Sequence, residues 1–136
     1  MFSEPSPNAI GFTAYATADR TYTAYQQVLF DAVLNNESFG YQQSSSQFIC
    51  PVDGLYVFAA SLCSSSSSFS ADIMKESQRL LSVKSHDGHV DQGMVTVVAQ
   101  CSAAERVWVQ TNSYDGTAIS SENERYVTFS GFLINY

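Results

Sequence analysis

The chain is short of positive charge, of cysteine and of long apolar runs, and each shortage removes a class of function. Six Lys and Arg stand against thirteen Asp and Glu, for a formal charge of -7 and a pI near 4.5. That sign repels phosphate backbones and anionic lipid headgroups, so nucleic acid is not an expected partner. Although 45% of the residues are apolar, no stretch approaches the roughly 20 consecutive apolar residues of a membrane-spanning helix. Membrane insertion is therefore not expected. The three cysteines, Cys50, Cys63 and Cys101, form no Cys-x-x-Cys pair of the zinc-binding kind and no dense disulfide framework. A single disulfide leaves one of them over, and the cysteines alone leave the redox compartment open. Met1 is followed by Phe-Ser-Glu-Pro-Ser-Pro, which has neither the basic start nor the apolar stretch of a secretory signal. If the protein is secreted, a signal has already been removed.

Catalytic machinery is scarce too. There is no Gly-x-Ser-x-Gly elbow to expose a serine nucleophile, and the only histidines are His86 and His89. The cysteines sit in or beside predicted strands, where packing or disulfide formation outcompetes thiolate chemistry. The chain is expected not to be an enzyme. Its 136 residues fit one domain, large enough to bury roughly two-thirds of its unfolded surface. We divide it into an N-terminal extension, 1–10, and a globular domain, 11–136.

What is present is a period of two. In Gly54–Cys63, Tyr56, Phe58 and Leu62 alternate with Leu55, Val57, Ala59 and Ser61, which predicts a central strand, apolar on both faces. Met94–Ala99 and Arg106–Gln110 are Val-rich runs separated by Ser102-Ala103-Ala104-Glu105, a gap that suits a hairpin. They are expected to pair. In Tyr126–Tyr136, Val127, Phe129, Gly131 and Leu133 share one side, so a further strand closes the chain. Gly131 lies where a side chain is expected to collide with the facing layer. Weaker strands are predicted at Gly11–Ala18, Phe69–Lys75 and Arg79–Val83. Gln26–Leu34 has helical spacing, but its β-branched and aromatic residues and its lack of caps favour an extended reading. Ser44–Ser46 and Ser64–Ser68 read as polar loops. About ten short antiparallel strands with hardly any helix predict an all-β jelly-roll sandwich.

Two segments go beyond fold class. Gln47–Phe58, QFICPVDGLYVF, resembles the Phe-x-Cys-Pro-x-x-Gly-x-Tyr-x-Phe signature of the complement C1q globular head, and Thr128–Tyr136, TFSGFLINY, resembles its closing strand. Asn35 or Asn36 followed by Gly40-Tyr41, with Val28-x-Phe30 before it, sits where that family has an Asn, a Gly and a Tyr. Val107-Trp108-Val109-Gln110 resembles the strand that follows a Gly-Asp turn in the family, but here Ala104-Glu105 stands in place of Gly-Asp. That turn cannot rely on a glycine.

The resemblance implies a C1q and tumour necrosis factor-like jelly roll that assembles as a homotrimer through one sheet. It also implies a Cys50–Cys101 disulfide, if Cys50 begins one strand and Cys101 ends its antiparallel neighbour. No Gly-X-Y repeat precedes the domain, which suits an invertebrate-type head without a collagen region. Such a head is a secreted, lectin-like pattern-recognition module of innate immunity that binds microbial or host glycans. The alternative is a trimeric tumour necrosis factor-like ligand for a protein receptor.

For glycan contact the loop and edge residues Tyr15, Tyr22, Tyr25, Asn112, Tyr114 and Asp115 are the candidates, since aromatic rings stack on sugar faces and amides or acids bond hydroxyls. Ser85–Gln92 holds two imidazoles and two carboxylates; hard oxygens suit Ca²⁺ and paired imidazoles suit Zn²⁺. Val90-Asp91-Gln92 resembles a stretch of C1q relatives whose acids help hold calcium, which favours Ca²⁺ on Asp91 and Asp87. Asn36-Glu37-Ser38 is an N-glycosylation sequon.

Overall fold

The computed structural model describes residues 9–64, 70–84, 91–112, 117–119 and 127–135. Among these are twelve strands: β1 (Gly11–Tyr15), β2 (Arg20–Tyr22), β3 (Ala32–Glu37), β4 (Tyr41–Gln42), β5 (Gln47–Ile49), β6 (Gly54–Ser64), β7 (Ser70–Lys75), β8 (Gln78–Lys84), β9 (Asp91–Cys101), β10 (Arg106–Thr111), β11 (Thr117–Ile119) and β12 (Thr128–Asn135). The count exceeds the expected ten because β2, β4, β5 and β11 are only two or three residues long, too short to show a period. Seven strands form one sheet in the order β2-β11-β6-β12-β1-β3, with β9 also on β6; the other five run β4-β5-β10-β7-β8. This is the predicted all-β sandwich.

β6 is the hub, as its apolar faces required. It pairs with β9 from Gly54↔Cys101 to Ser64↔Asp91 and with β12 from Leu55↔Asn135 to Ser61↔Thr128. The expected β9–β10 hairpin does not form. β9 belongs to the seven-stranded sheet, whereas β10 pairs with β5 and β7 in the other. The turn between them crosses the sandwich because Cys50 captures it: Ala104 N–H donates to the Cys50 carbonyl at 2.8 Å and Cys50 N–H donates to the Glu105 carbonyl at 2.9 Å. The Cys50–Cys101 disulfide is present, with Cα atoms 6.6 Å apart. It differs from the expected geometry, for Cys50 follows β5 and the bridge ties one sheet to the other instead of linking neighbouring strands. Cys63 takes no part in it and is buried. Ala104, standing where a glycine was missed, holds φ at 75°.

Alternation delivers the core. Phe12, Phe30, Phe48, Tyr56, Phe58, Leu62, Ile73, Val107, Val109 and Phe129 are fully buried between the sheets. Phe48 from the five-stranded sheet meets Phe12 at 4.7 Å and Phe58 at 5.8 Å between ring centroids, and Phe129 meets Phe12 edge-on at 5.0 Å. Such aromatic pairs add about 0.5–1.5 kcal/mol each beyond area burial. Of Gln26–Leu34 only the end from Ala32 is strand; Val28 and Phe30 still reach the core, with Val28 N–H donating to the Val109 carbonyl at 2.8 Å.

Gly131 does make room, but for its neighbours within the sheet and not for the facing layer. A Cβ there would lie 2.7 Å from Phe58 and 2.9 Å from Phe12, the residues paired with it on β6 and β1. Gly40 likewise yields to Phe48, whose ring would be 2.5 Å from its Cβ. The Asn36 side chain spans this turn. Its Nδ2 donates to the Tyr41 carbonyl at 2.9 Å and its Oδ1 accepts from Tyr41 N–H at 3.1 Å, so the nitrogen a glycan would take is already closing the β3–β4 connection.

Candidate functional site

Strand registers sort the loops into two ends. One carries the disulfide, the 102–105 turn and the last residues of β12. The other gathers the turn 23–26, the starts of β7 and β9 and the end of β10: Asn112 N–H donates to the Ser70 carbonyl at 2.8 Å, and Tyr25 N–H donates to the Asn112 carbonyl at 3.1 Å.

Of the six residues predicted to contact a glycan, the structure brings Tyr25 and Asn112 together at this loop end. Tyr25 is 64% exposed and held at a φ of 58°. A left-handed conformation costs a residue with a side chain roughly 1–2 kcal/mol, and here the turn is fixed by bonds from Gln26 N–H to Thr111 Oγ1 at 2.9 Å and from Thr111 N–H to the Gln26 carbonyl at 2.8 Å. Asn112 is differently employed. Its Nδ2 donates to both oxygens of Asp72 at 3.0 and 3.2 Å. Asp72 is only 2% exposed, and Arg79 Nε at 3.1 Å and Ser82 Oγ at 2.6 Å complete its partners. The Asn112 amide is thus committed to a buried carboxylate, and sequence alone could not show that the two meet.

Tyr22 corrects the expectation of a surface ring. It is 2% exposed, its hydroxyl accepts from Leu29 N–H at 3.0 Å, and burial raises its pKa above the ordinary phenol value. On so short an edge strand the inward position was indistinguishable from the outward one. Tyr15 occupies an outward, half-buried position on β1 opposite Thr128, on the sheet face. Tyr114, Asp115 and Asp87 lie outside the described residues. Asp91 opens β9 with its backbone paired to Ser64, at the loop end; its side chain also lies outside the description.

The sequence reading missed the outward face of the seven-stranded sheet. Leu55, Val57, Ala59 and Ser61 of β6 lie between Gln100, Val98, Thr96 and Met94 of β9 on one side and Asn135, Phe132, Ser130 and Thr128 of β12 on the other. Met94 is 73%, Val98 55%, Phe132 52% and Ile134 49% exposed. Among the described residues, no Asp, Glu, Lys or Arg points outward from β1, β6 or β12, or from β9 beyond Asp91. In a chain of charge -7, so large an uncharged apolar face marks an interaction surface. The alternation in Met94–Val98 carried this signal, but a strand apolar on both sides reads equally as core.

A jelly-roll sandwich with such a face defines a class of binding domain, and comparison places it further. Residues 11–134 match the family model described as the C1q domain. The chain is 30% identical over 108 residues to complement C1q tumor necrosis factor-related protein 5 of Rattus norvegicus, covering 77% of this chain and 44% of that protein. It is 27% identical over 109 residues to complement C1q and tumor necrosis factor-related protein 9 of Mus musculus, covering 79% of this chain and 33% of that protein. The chain thus spans less than half the length of these relatives. Among solved structures it is similar to the globular domain of zebrafish complement 1qA protein, with a TM-score of 0.75, 18% identity and coverage of 92% of this chain and 97% of that one. It also resembles murine APRIL at pH 5.0, with a TM-score of 0.74, 7% identity and coverage of 93% and 99%. The chain belongs to the C1q domain family, whose domain is a non-enzymatic binding module. Proteins of this fold typically form trimers, and the Cys50–Cys101 disulfide is consistent with an extracellular setting.

Proposed function

We propose that the chain is the head of a secreted homotrimer that recognises microbial or host glycans as a lectin-like pattern-recognition module of the invertebrate type. The observation that carries this reading is the uncharged outward face around Met94, Val98 and Phe132. A second copy covers that face most simply, because three copies of one apolar surface around a threefold axis remove it from water in a closed assembly. Self-association there leaves the loop end free. It then presents three copies of Tyr25, a rigidly held exposed ring of the kind that stacks on a sugar.

Calcium belongs to the same reading, with Asp87 and Asp91 as its carboxylate donors. Two carboxylates per chain fall short of the about six to eight oxygens Ca²⁺ takes, so carbonyls, water or neighbouring subunits complete the shell. The deciding experiment is a glycan and microbial-polysaccharide array at physiological salt, with calcium or with chelator, on protein whose solution mass has been measured. Saturable binding by a trimer, competed by free sugar, is expected. A silent array from a trimer overturns the glycan reading and favours the protein receptor. Calcium is expected to raise the melting temperature, and Asp91→Ala to abolish that rise; equal melting with calcium and with chelator removes the ion.

A further inference from the structure

The five-stranded sheet turns its outer face away from the apolar face that self-association covers, so it stays open in the proposed trimer. Its middle strand, β10, alternates outward Arg106, Trp108 and Gln110 with buried Val107, Val109 and Thr111. Beside the half-buried Trp108 stand Met74 on β7 and, one step on from the Val107↔Phe48 pair, Gln47 on β5. Four of the chain's six Lys and Arg belong to this sheet: Lys75, Arg79, Lys84 and Arg106. Arg79 is bound to buried Asp72 at 3.1 Å and Lys75 lies 3.8 Å from Glu105, while Lys84 sits across from Ser70 at the far end of the sheet. Glu76 accepts from Arg106 N–H at 2.7 Å on the β7 side. The Arg106 guanidinium reaches the other way, its Nη1 donating to Gln47 Oε1 on β5 at 3.0 Å. Among the described residues, Arg106 is thus the cation beside the indole that no carboxylate neutralises.

A chain of amides fixes this face. Gln47 Nε2 donates to Gln27 Oε1 at 3.3 Å, and Gln27 Nε2 donates to the Ser45 and Ser46 carbonyls. Gln27 pairs with Gln110 through the backbone, and Trp108 Nε1 donates to Gln110 Oε1 at 2.9 Å. The amide oxygens of Gln27, Gln47 and Gln110 are therefore each already accepting a bond. Donors remain. Among the described residues, nothing accepts from Arg106 Nε or Nη2, or from Gln110 Nε2. From Arg106 to Gln110 the strand rises about 13–14 Å, at 3.3–3.4 Å per residue, with the indole at the midpoint.

From this arrangement we infer that the outer face of the five-stranded sheet binds an acidic oligosaccharide, a hexuronate joined to a neutral sugar. The carboxylate lies on Arg106, a pyranose face on Trp108 and a hydroxyl oxygen on Gln110 Nε2. Donors without acceptors call for a ligand rich in oxygen acceptors, and the guanidinium fork matches a carboxylate through two parallel bonds. The indole supplies an apolar ring face, which an inorganic anion would leave unused and the C–H face of a sugar covers. A densely sulfated or phosphorylated chain asks for several unpaired cations and is repelled by a protein of charge -7; a single uronate asks for one. Side chains already ordered by the amide chain spare the ligand part of the cost of fixing them. This site stands apart from the loop end that holds Tyr25 and does not depend on it.

Trp108 is the only tryptophan of the chain, so its emission reports on this face. The test is a fluorescence titration of the intact protein at neutral pH with cellobiouronate, a glucuronosyl-glucose, and with cellobiose, which differs from it by one carboxylate. Cellobiouronate is expected to change the emission saturably, and cellobiose to bind at least about tenfold more weakly, the effect of losing about 1.4 kcal/mol. Arg106→Gln, at an exposed position, should keep its melting temperature and bring the acid down to the affinity of cellobiose. Tyr25→Ala should alter neither titration. No saturable change with cellobiouronate, equal affinity for the two sugars, or a preference that survives Arg106→Gln overturns the inference. A response lost in Tyr25→Ala and kept in Arg106→Gln also overturns it while leaving the lectin reading at the loop end intact. The expected titration unaltered by Tyr25→Ala, beside an array that finds no Tyr25-dependent binding, keeps this site and removes the loop end as the lectin surface.

Discussion

Ala104 carries a cost that the fold imposes on a single residue. It sits at a φ of 75° in the turn where relatives by resemblance have glycine, because its N–H must reach the Cys50 carbonyl. A left-handed alanine is disfavoured by roughly 1–2 kcal/mol, and a glycine returns part of that gain through the larger entropy of its unfolded chain, about 0.4–1 kcal/mol. Ala104→Gly is therefore expected to stabilise the protein by about 0.5–1 kcal/mol in urea unfolding; a loss of stability would show that the turn is not under this constraint. Asn112 makes the opposite case. Its amide is the only neutral partner bonding both oxygens of the buried Asp72 among the described residues. Asn112→Ala should lower stability by about 1–3 kcal/mol, the cost of an unsatisfied buried group. A variant of unchanged stability that loses glycan binding would return Asn112 to the role of ligand contact.

Among the elements, β12 shows how periodicity becomes energy. Val127, Phe129 and Gly131 face inward as the sequence alternation predicts, and Phe129 is fully buried against Phe12, Phe30 and Tyr41. Phe129→Ala is expected to cost about 3–5 kcal/mol, read from the midpoint of denaturant unfolding, and a loss under about 1 kcal/mol would contradict the burial. The strands with long alternation, β6 and β12, were legible because half-burial imposes a period of two. The partner of β10 was not. Whether a short connection folds back as a hairpin or crosses to the other sheet depends on contacts from Cys50, distant in sequence, and no local pattern in residues 102–105 reports them. The same reason separates Tyr25 from Tyr22. Both lie beside polar residues in sequence, and only the tertiary fold exposes one and buries the other.

For the whole molecule, the decisive property is the face that one copy leaves uncovered. Exposed Met94, Val98 and Phe132 are outside the core, so a charge there should spare the fold of one subunit while opposing a close apolar contact between subunits. Wild-type protein is expected to sediment at three times the chain mass of 14.9 kDa. The Val98→Glu, Phe132→Glu double variant is expected at the mass of one chain, with an unchanged β-sheet circular dichroism spectrum. A wild-type monomer would remove the trimer, and an assembled double variant would move the contact to another face. Assembly should also govern recognition. Three loop ends on one particle convert weak single contacts into avidity gains of about 10²-fold or more on a glycan-coated surface. The monomeric variant should therefore lose surface binding while keeping its affinity for a soluble monosaccharide, because the uncharged face acts by joining sites and not by forming them.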